Sequence, residues 1–128
     1  MIDHLSYAVS DYQKSREFYD ATLAPLGLKV VEEFGQAAGY GRDSLPSFWI
    51  AAEGDHAKPA AGGWGFHLAF EAEDQDCVNA FYQAALMSGG RDSGAPGLRP
   101  DLHTKYYSAF VVDPDGYRIE AVCHRPQS

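Results

Sequence analysis

Two histidines 63 positions apart and one acid near the end of the chain have the residue types of a metal site: His4, His67 and Glu120. Two imidazoles and one carboxylate can grip a divalent cation while leaving coordination positions open for substrate or oxygen, and the set suits Fe2+, Mn2+ or a related ion. A single histidine on a strand is more often a surface or hydrogen-bonded residue. These two gain weight because they hold one position in two copies of a repeat. Shifting the chain by 63 superposes His4, Leu5, Asp11, Phe18, Tyr19, Ala21, Leu23 and Gly27 on identical residues, His67 to Gly90. Chance would supply roughly one or two such matches over that span. Glu120 lies between Ile119 and Ala121, where an unpaired charge is costly and a metal would remove the cost.

The elements that must position these residues follow from periodicity. Each copy opens with a strand, Ile2 to Val9 and Phe66 to Ala72, in which apolar residues alternate. Asp11 and Asp74 have the place of N-caps for amphipathic helices, the first through about Ala24. Gly89 or Gly90 is suited to the left-handed end of the second helix. Strands are expected at Leu28 to Phe34, near Gly39 to Arg42, and at Ser47 to Ala52. In the second copy they are expected briefly near Arg91 and Asp92, then at Tyr106 to Val112 and Tyr117 to Cys123. Asp113-Pro114-Asp115-Gly116 has the residue order of a type I turn. The stretch Ser93 to Thr104 reads as a long irregular loop, of the kind that covers sites. Residues 1–128 thus form one α+β domain of two strand-helix-strand-strand-strand modules, 1–54 and 64–124, joined by an Ala, Gly and Pro-rich linker, 55–63.

Alternation also assigns faces. Leu5, Tyr7 and Val9, and Leu68, Phe70 and Ala72, must lie under the helices. His4 and His67 then project from the opposite, open face, and Glu120 joins them because Ile119, Ala121 and Cys123 have the helix-facing parity. Phe48 and Trp49 lie on a strand lining the same cleft, where one can wall an apolar substrate and the other is expected in the core. Tyr106 and Tyr107 point to opposite faces, so only one reaches the site, and parity leaves open which. His103, in the long loop, is a candidate acid or base because imidazole titrates near neutrality, with an exposed loop histidine as the plainer reading. Arg99 and Arg91 are either ligands for a substrate carboxylate or surface charge.

The composition excludes several function classes. The net charge is -8, from 18 acidic and 10 basic residues, and the basic residues form no stripe. Binding to nucleic acid or to an anionic membrane surface is therefore not expected. No apolar run is long enough to span a bilayer, and periodic structure from Ile2 leaves no place for a signal peptide, so a cytoplasmic protein is expected. The two cysteines, Cys77 and Cys123, form no CxxC motif and read as reduced packing residues.

Four segments resemble the vicinal oxygen chelate superfamily, which includes glyoxalase I, extradiol dioxygenases, and fosfomycin- and bleomycin-resistance proteins. They are Ile2-Asp3-His4-Leu5, Ser15 to Tyr19, Phe66-His67-Leu68, and Asp113-Pro114-Asp115-Gly116-Tyr117-Arg118-Ile119-Glu120. The resemblance implies paired βαβββ modules forming a curved, eight-stranded, half-open barrel, with a divalent ion (Fe2+, Mn2+, Zn2+ or Ni2+) on His4, His67 and Glu120. It implies a small oxygenated organic substrate chelated through two oxygens, and glyoxalase-like lyase or dioxygenase chemistry. It also implies a homodimer, in some members with modules exchanged so that one site draws on two chains. Glyoxalase I adds a fourth ligand on the last strand of the first module, where this chain has Trp49 or Ile50. Fosfomycin-type thiol transferases use three ligands and place a hydroxyl residue at Ser6. The antibiotic-sequestering members lack metal ligands, so a non-catalytic binding or resistance protein is the contrasting alternative.

Overall fold

A computed structural model describes residues 1–52, 65–102 and 105–124. The linker 55–63 and His103 lie outside these described residues. The first half runs β1 Leu5–Ala8, α1 Tyr12–Leu23, a 3-10 turn Ala24–Leu26, β2 Lys29–Phe34, β3 Ala37–Gly41 and β4 Phe48–Ala51. The second half runs β5 Leu68–Glu71, α2 Gln75–Met87, β6 Arg91–Leu98, β7 Tyr107–Val112 and β8 Arg118–Cys123. The strand orders are β1-β4-β3-β2 and β5-β8-β7-β6. In each, the first strand pairs parallel with the last and the other pairs are antiparallel. This is the expected α+β architecture of two equivalent modules. The two four-stranded sheets are hydrogen-bonded separately and do not close into one barrel within the chain.

Local chemistry fixes the helix ends as the spacing predicts. The Asp11 carboxylate accepts from the Lys14 N–H at 3.1 Å, and that of Asp74 from the Cys77 N–H at 2.9 Å. Gly27 and Gly89 take φ of 82° and 98° just past the first and second helical segments, where a side chain would be strained. One element departs from expectation. The stretch from Ser93 is not a long irregular loop, because β6 continues to Leu98. Its glycines sit at register shifts against β7, and Pro96 is tolerated because β6 is the outer strand of its sheet.

Burial follows the alternation. Tyr7, Val9, Phe48 and Ile50 of the first sheet and Phe70, Ile119, Ala121 and Cys123 of the second lie in one hydrophobic cluster with Phe18, Tyr19, Leu23, Val78 and Phe81 of the helices. The cluster spans both modules. Tyr7 stacks on Tyr117 with 4.0 Å between ring centres, and Phe48 meets Phe70 edge-on at 5.3 Å. A Cβ at Gly90 would stand 2.6 Å from the Phe18 ring and 2.9 Å from the Ala85 carbonyl oxygen, so α1 approaches this turn too closely for any side chain there. The modules therefore meet through their helix sides, and both open faces point away from the shared core.

Polar contacts lock the same interface. The Tyr117 hydroxyl donates to the Ala8 carbonyl at 2.8 Å, and Ser10 donates through N–H and hydroxyl to Asp115. Arg42 donates to the carbonyls of Leu26 (3.2 Å) and Glu71 (2.6 Å), one in each module. Asp113 is buried and accepts from the Tyr19 hydroxyl and from the N–H groups of Asp115 (2.9 Å) and Tyr117 (2.8 Å). Desolvation outweighs these donors and raises its pKa from 3.8 to about 6. Because the folded-state value lies above the unfolded one, the folded protein holds the extra proton. Its contribution to stability is present below about pH 4 and is lost as pH rises through about 6. Asp113→Asn should gain stability relative to the parent chain by roughly 1–1.5 kcal/mol between pH 5 and pH 8, measured by urea unfolding. A pH-independent difference would contradict this reading.

Candidate functional site

The open face of the second sheet gathers the polar groups. On β8, Arg118 and Glu120 alternate with the core residues Ile119 and Ala121. Glu120 is central because β8 is an inner strand, with Ala69 of β5 beside it on one side and Phe110 of β7 on the other. Its side chain is 0% exposed. A buried carboxylate needs partners, and two are in place. The Nε2 of His67 lies 3.0 Å from Oε1, and the Tyr106 hydroxyl donates to Oε2 at 2.7 Å. With Glu120 ionised, His67 carries its proton on Nε2. Burial, with the bond to Glu120 next, pushes the Tyr106 phenol up to about 12, so it remains a donor at any ordinary pH. The His67 ring stands edge-on to Phe110 at 5.4 Å and keeps 38% of its side chain exposed.

The open face of the first sheet carries an aromatic ring where the second carries the acid. Ser6 pairs with Trp49 across β1 and β4, as Ala69 pairs with Glu120 across β5 and β8. The 63-residue shift maps Ser6 onto Ala69, so Trp49, not Ile50, occupies the position that Glu120 holds in the other module. Its ring lies over Gly39, where a Cβ would come within 2.9 Å, and packs against Phe34 at 5.5 Å. His4 precedes β1 and is half exposed, its Nδ1 2.7 Å from the Asp3 carboxylate. A cleft of about 540 Å³ lies here, bounded by His4, Pro46 and Trp49 among others.

The structure therefore brings some expected site residues together and separates others. His67, Glu120 and Tyr106 form one cluster. His4, Ser6 and Trp49 lie on the other module's open face. Among the described residues no three His, Cys, Asp or Glu side chains stand close enough to hold a metal, so the expected convergence of His4 on His67 and Glu120 does not occur within the chain. The physical reason is the helix-side packing of the modules. The expectation that Phe48 lines the cleft is corrected: it is buried beneath the helices, against Tyr7 and Phe70. Tyr107 is likewise on the helix side, its hydroxyl donating to Asn79 of α2 at 2.7 Å. Arg99, expected to bind substrate, is occupied with its own hairpin, donating to the carbonyls of Ala95 (2.7 Å) and Ser108 (3.0 Å) and to the Ser108 hydroxyl (3.2 Å).

Two residues of this face were not singled out by sequence reasoning. Arg118 holds its guanidinium 3.8 Å over the Phe110 ring and donates from Nε to the Ser93 hydroxyl at 3.0 Å. Phe110 is the cross-strand neighbour of Glu120. Arg118 has the parity of Glu120, so the alternation that exposed the acid also held this signal.

The chain matches the model of the Glyoxalase/Bleomycin resistance protein/Dioxygenase superfamily over residues 1–121. No curated protein matches it. A glyoxalase/bleomycin resistance protein from Albidiferax ferrireducens T118 is 32% identical, with a TM-score of 0.81 over 94% of this chain and 96% of that one. A glyoxalase/bleomycin resistance protein/dioxygenase family enzyme from Burkholderia phytofirmans PsJN shares the fold at 14% identity, with a TM-score of 0.70 over 97% of this chain and 98% of that one. Glyoxalase I from Zea mays also shares it, at 20% identity and a TM-score of 0.68, over 95% of this chain but only 45% of the maize protein. Duplicated modules, caps and turn, the family model and the 32% identical neighbour agree: the chain belongs to the Glyoxalase/Bleomycin resistance protein/Dioxygenase superfamily.

Proposed function

We propose that this protein is a divalent-metal-dependent enzyme acting on a small oxygenated organic substrate, by glyoxalase-like lyase or dioxygenase-like chemistry. In this reading His67 and Glu120 of one copy and His4 of a second copy hold the ion. The observation that carries it is the pairing of His67 Nε2 with a fully buried Glu120 oxygen at 3.0 Å. An imidazole and a carboxylate held this way are two donors in contact, and a cation can replace the proton between them. The donor set fits a metal only when a third ligand arrives, and His4 occupies the corresponding place on the other open face. Among the described residues β1 and β5 are edge strands, so a second copy can meet both at once in a closed two-fold pair. A bound metal would supply Lewis acidity toward two substrate oxygens.

The protein's own groups then have defined parts. Tyr106, protonated throughout, holds one oxygen of Glu120 and leaves the other directed at His67, so it is a positioning residue. Phe110 beside Glu120, and Trp49 across the closed pair, exclude water and present flat apolar walls. Trp49 in the place of a fourth acid also favours a second reading, a non-catalytic binder of an apolar ligand. Ligand quenching of tryptophan fluorescence that persists after chelation would select it.

Two experiments test the leading reading. His4→Ala and Glu120→Gln should each abolish stoichiometric Mn2+ uptake, whereas unfolding and refolding them together should restore about a quarter of the parental sites. Half of the randomly formed pairs are mixed, and each mixed pair has one complete site. Full retention of metal by His4→Ala, or no recovery on mixing, would overturn it. Tyr106→Phe strands a buried carboxylate oxygen and should cost about 1–3 kcal/mol in urea unfolding and weaken Mn2+ binding. Unchanged stability and affinity would remove Tyr106 from the site.

A further inference from the structure

The seam between the modules is not packed solid. Between β1 and β5 it leaves a cavity of about 410 Å³, within the roughly 300–1,000 Å³ of small-molecule sites. Leu5 of β1 and Leu68 of β5, which hold one position in the repeat, line it from the two modules. Beneath them lie the edge-on contact of Phe48 with Phe70 and the buried side chain of Leu28. Two large apolar side chains stand on the rim, Ile2 at 83% and Leu45 at 77% exposure. Leu45 is held there by its turn. The Asp43 carboxylate accepts its N–H at 3.1 Å, and the Ser47 N–H donates to the Tyr40 carbonyl at 2.8 Å. A Cβ at Gly41 would stand 2.4 Å from the Leu45 carbonyl oxygen, so only glycine admits this close return of the chain on β3. Exposed apolar side chains gathered round an apolar hollow are the mark of a surface that takes a ligand.

The charged groups of the rim are mostly acidic. Asp3, Asp43 and Glu71 stand against Arg42, which donates to the carbonyls of Leu26 and Glu71 and lies 3.8 Å from the Glu71 carboxylate. Asp3 also meets the His4 imidazole, and the amino terminus at Met1 borders the adjoining cleft and offsets a further carboxylate. The balance remains negative, in keeping with the whole protein's net charge of -8. Such a rim attracts a cation and repels a carboxylate, through an interaction that salt screens over about 8 Å.

We infer that the cavity between β1 and β5 binds a small amphiphilic cation, its alkyl chain over Phe48 and Phe70 and its ammonium group among Asp3, Asp43 and Glu71. The lining includes none of His4, His67 and Glu120, so this site stands or falls apart from the metal reading. Burial of the chain supplies most of the affinity, because exposed carboxylates stay hydrated and attract only modestly. Covering Ile2 and Leu45 adds apolar area to that burial. The acids choose the head group.

The test is a titration followed by amide NMR, with hexylammonium, hexanol and hexanoate as probes. Hexylammonium should shift the signals of Leu5, Leu68 and Phe70 saturably. It should bind at least about fivefold more tightly than hexanoate at low salt, with hexanol between them and the gap narrowing as salt is added. Butylammonium should bind about tenfold more weakly than hexylammonium, since each buried CH2 is worth up to about fourfold. Ser47→Phe places a ring at the exposed mouth and should abolish binding of all the probes without lowering the urea unfolding midpoint. Asp43→Asn combined with Glu71→Gln keeps the side-chain oxygen that accepts from Leu45 and removes two charges. It should bring hexylammonium to within about twofold of hexanol and leave hexanol unchanged. Shifts that map elsewhere, equal binding of hexylammonium and hexanoate, or binding retained in Ser47→Phe would each overturn the inference. If the same amides shift on dilution of the protein alone, a second copy fills the cavity and the inference fails as well. Should Ser47→Phe not fold, the head-group preference and its loss in the double variant decide the matter.

Discussion

The stack of Tyr7 on Tyr117 and the edge contact of Phe48 with Phe70 join the helix-facing side of one sheet to that of the other. Aromatic pairs of this kind contribute area and about 0.5–1.5 kcal/mol each beyond it, and here they sit at the seam between modules. The hydrogen bonds of Tyr117 to Ala8 and of Ser10 to Asp115, and the absence of a Cβ at Gly90, hold the same seam. Once the helix sides are spent on each other, the two open faces do not meet one another among the described residues. That constraint separates the residues: His67 and Glu120 adjoin, and His4 stands on a surface turned elsewhere.

The two open faces are chemically unlike although their backbones are equivalent. In one module the inner-strand position opposite β5 is Glu120; in the other the matching position is Trp49. One face thus carries a buried acid with its His67 and Tyr106 partners, and the other carries the Trp49 ring. A pair formed between copies would set each polar face against an aromatic one. The acid would then be retained in a dry setting, where its hydrogen bonds with Tyr106 and His67 are strongest.

Much of this was legible in the sequence because it is local. Asp11, Asp74, Gly27 and Gly89 do at the helix ends what their types dictate, and period-two alternation correctly divides Ile119 from Glu120. The rest depends on pairing. Equivalence of His4 and His67 under a repeat says that they occupy one place in each module, not one place in space. Whether Phe48 or Trp49 faces outward follows from the register of β4 against β1, which no residue type announces. Tyr106 and Tyr107 are told apart only by Glu120 on one side and Asn79 on the other. The Gly and Pro of β6 mimic a loop because an edge strand with bulges tolerates them.

A crystal of the protein grown with Mn2+ and measured at the manganese absorption edge addresses the account at its centre. The expected result is an anomalous peak bonded to His67 and Glu120 of one chain and to His4 of another. A peak whose ligands all come from one chain, or a pair of copies with both open faces left in solvent, would contradict it.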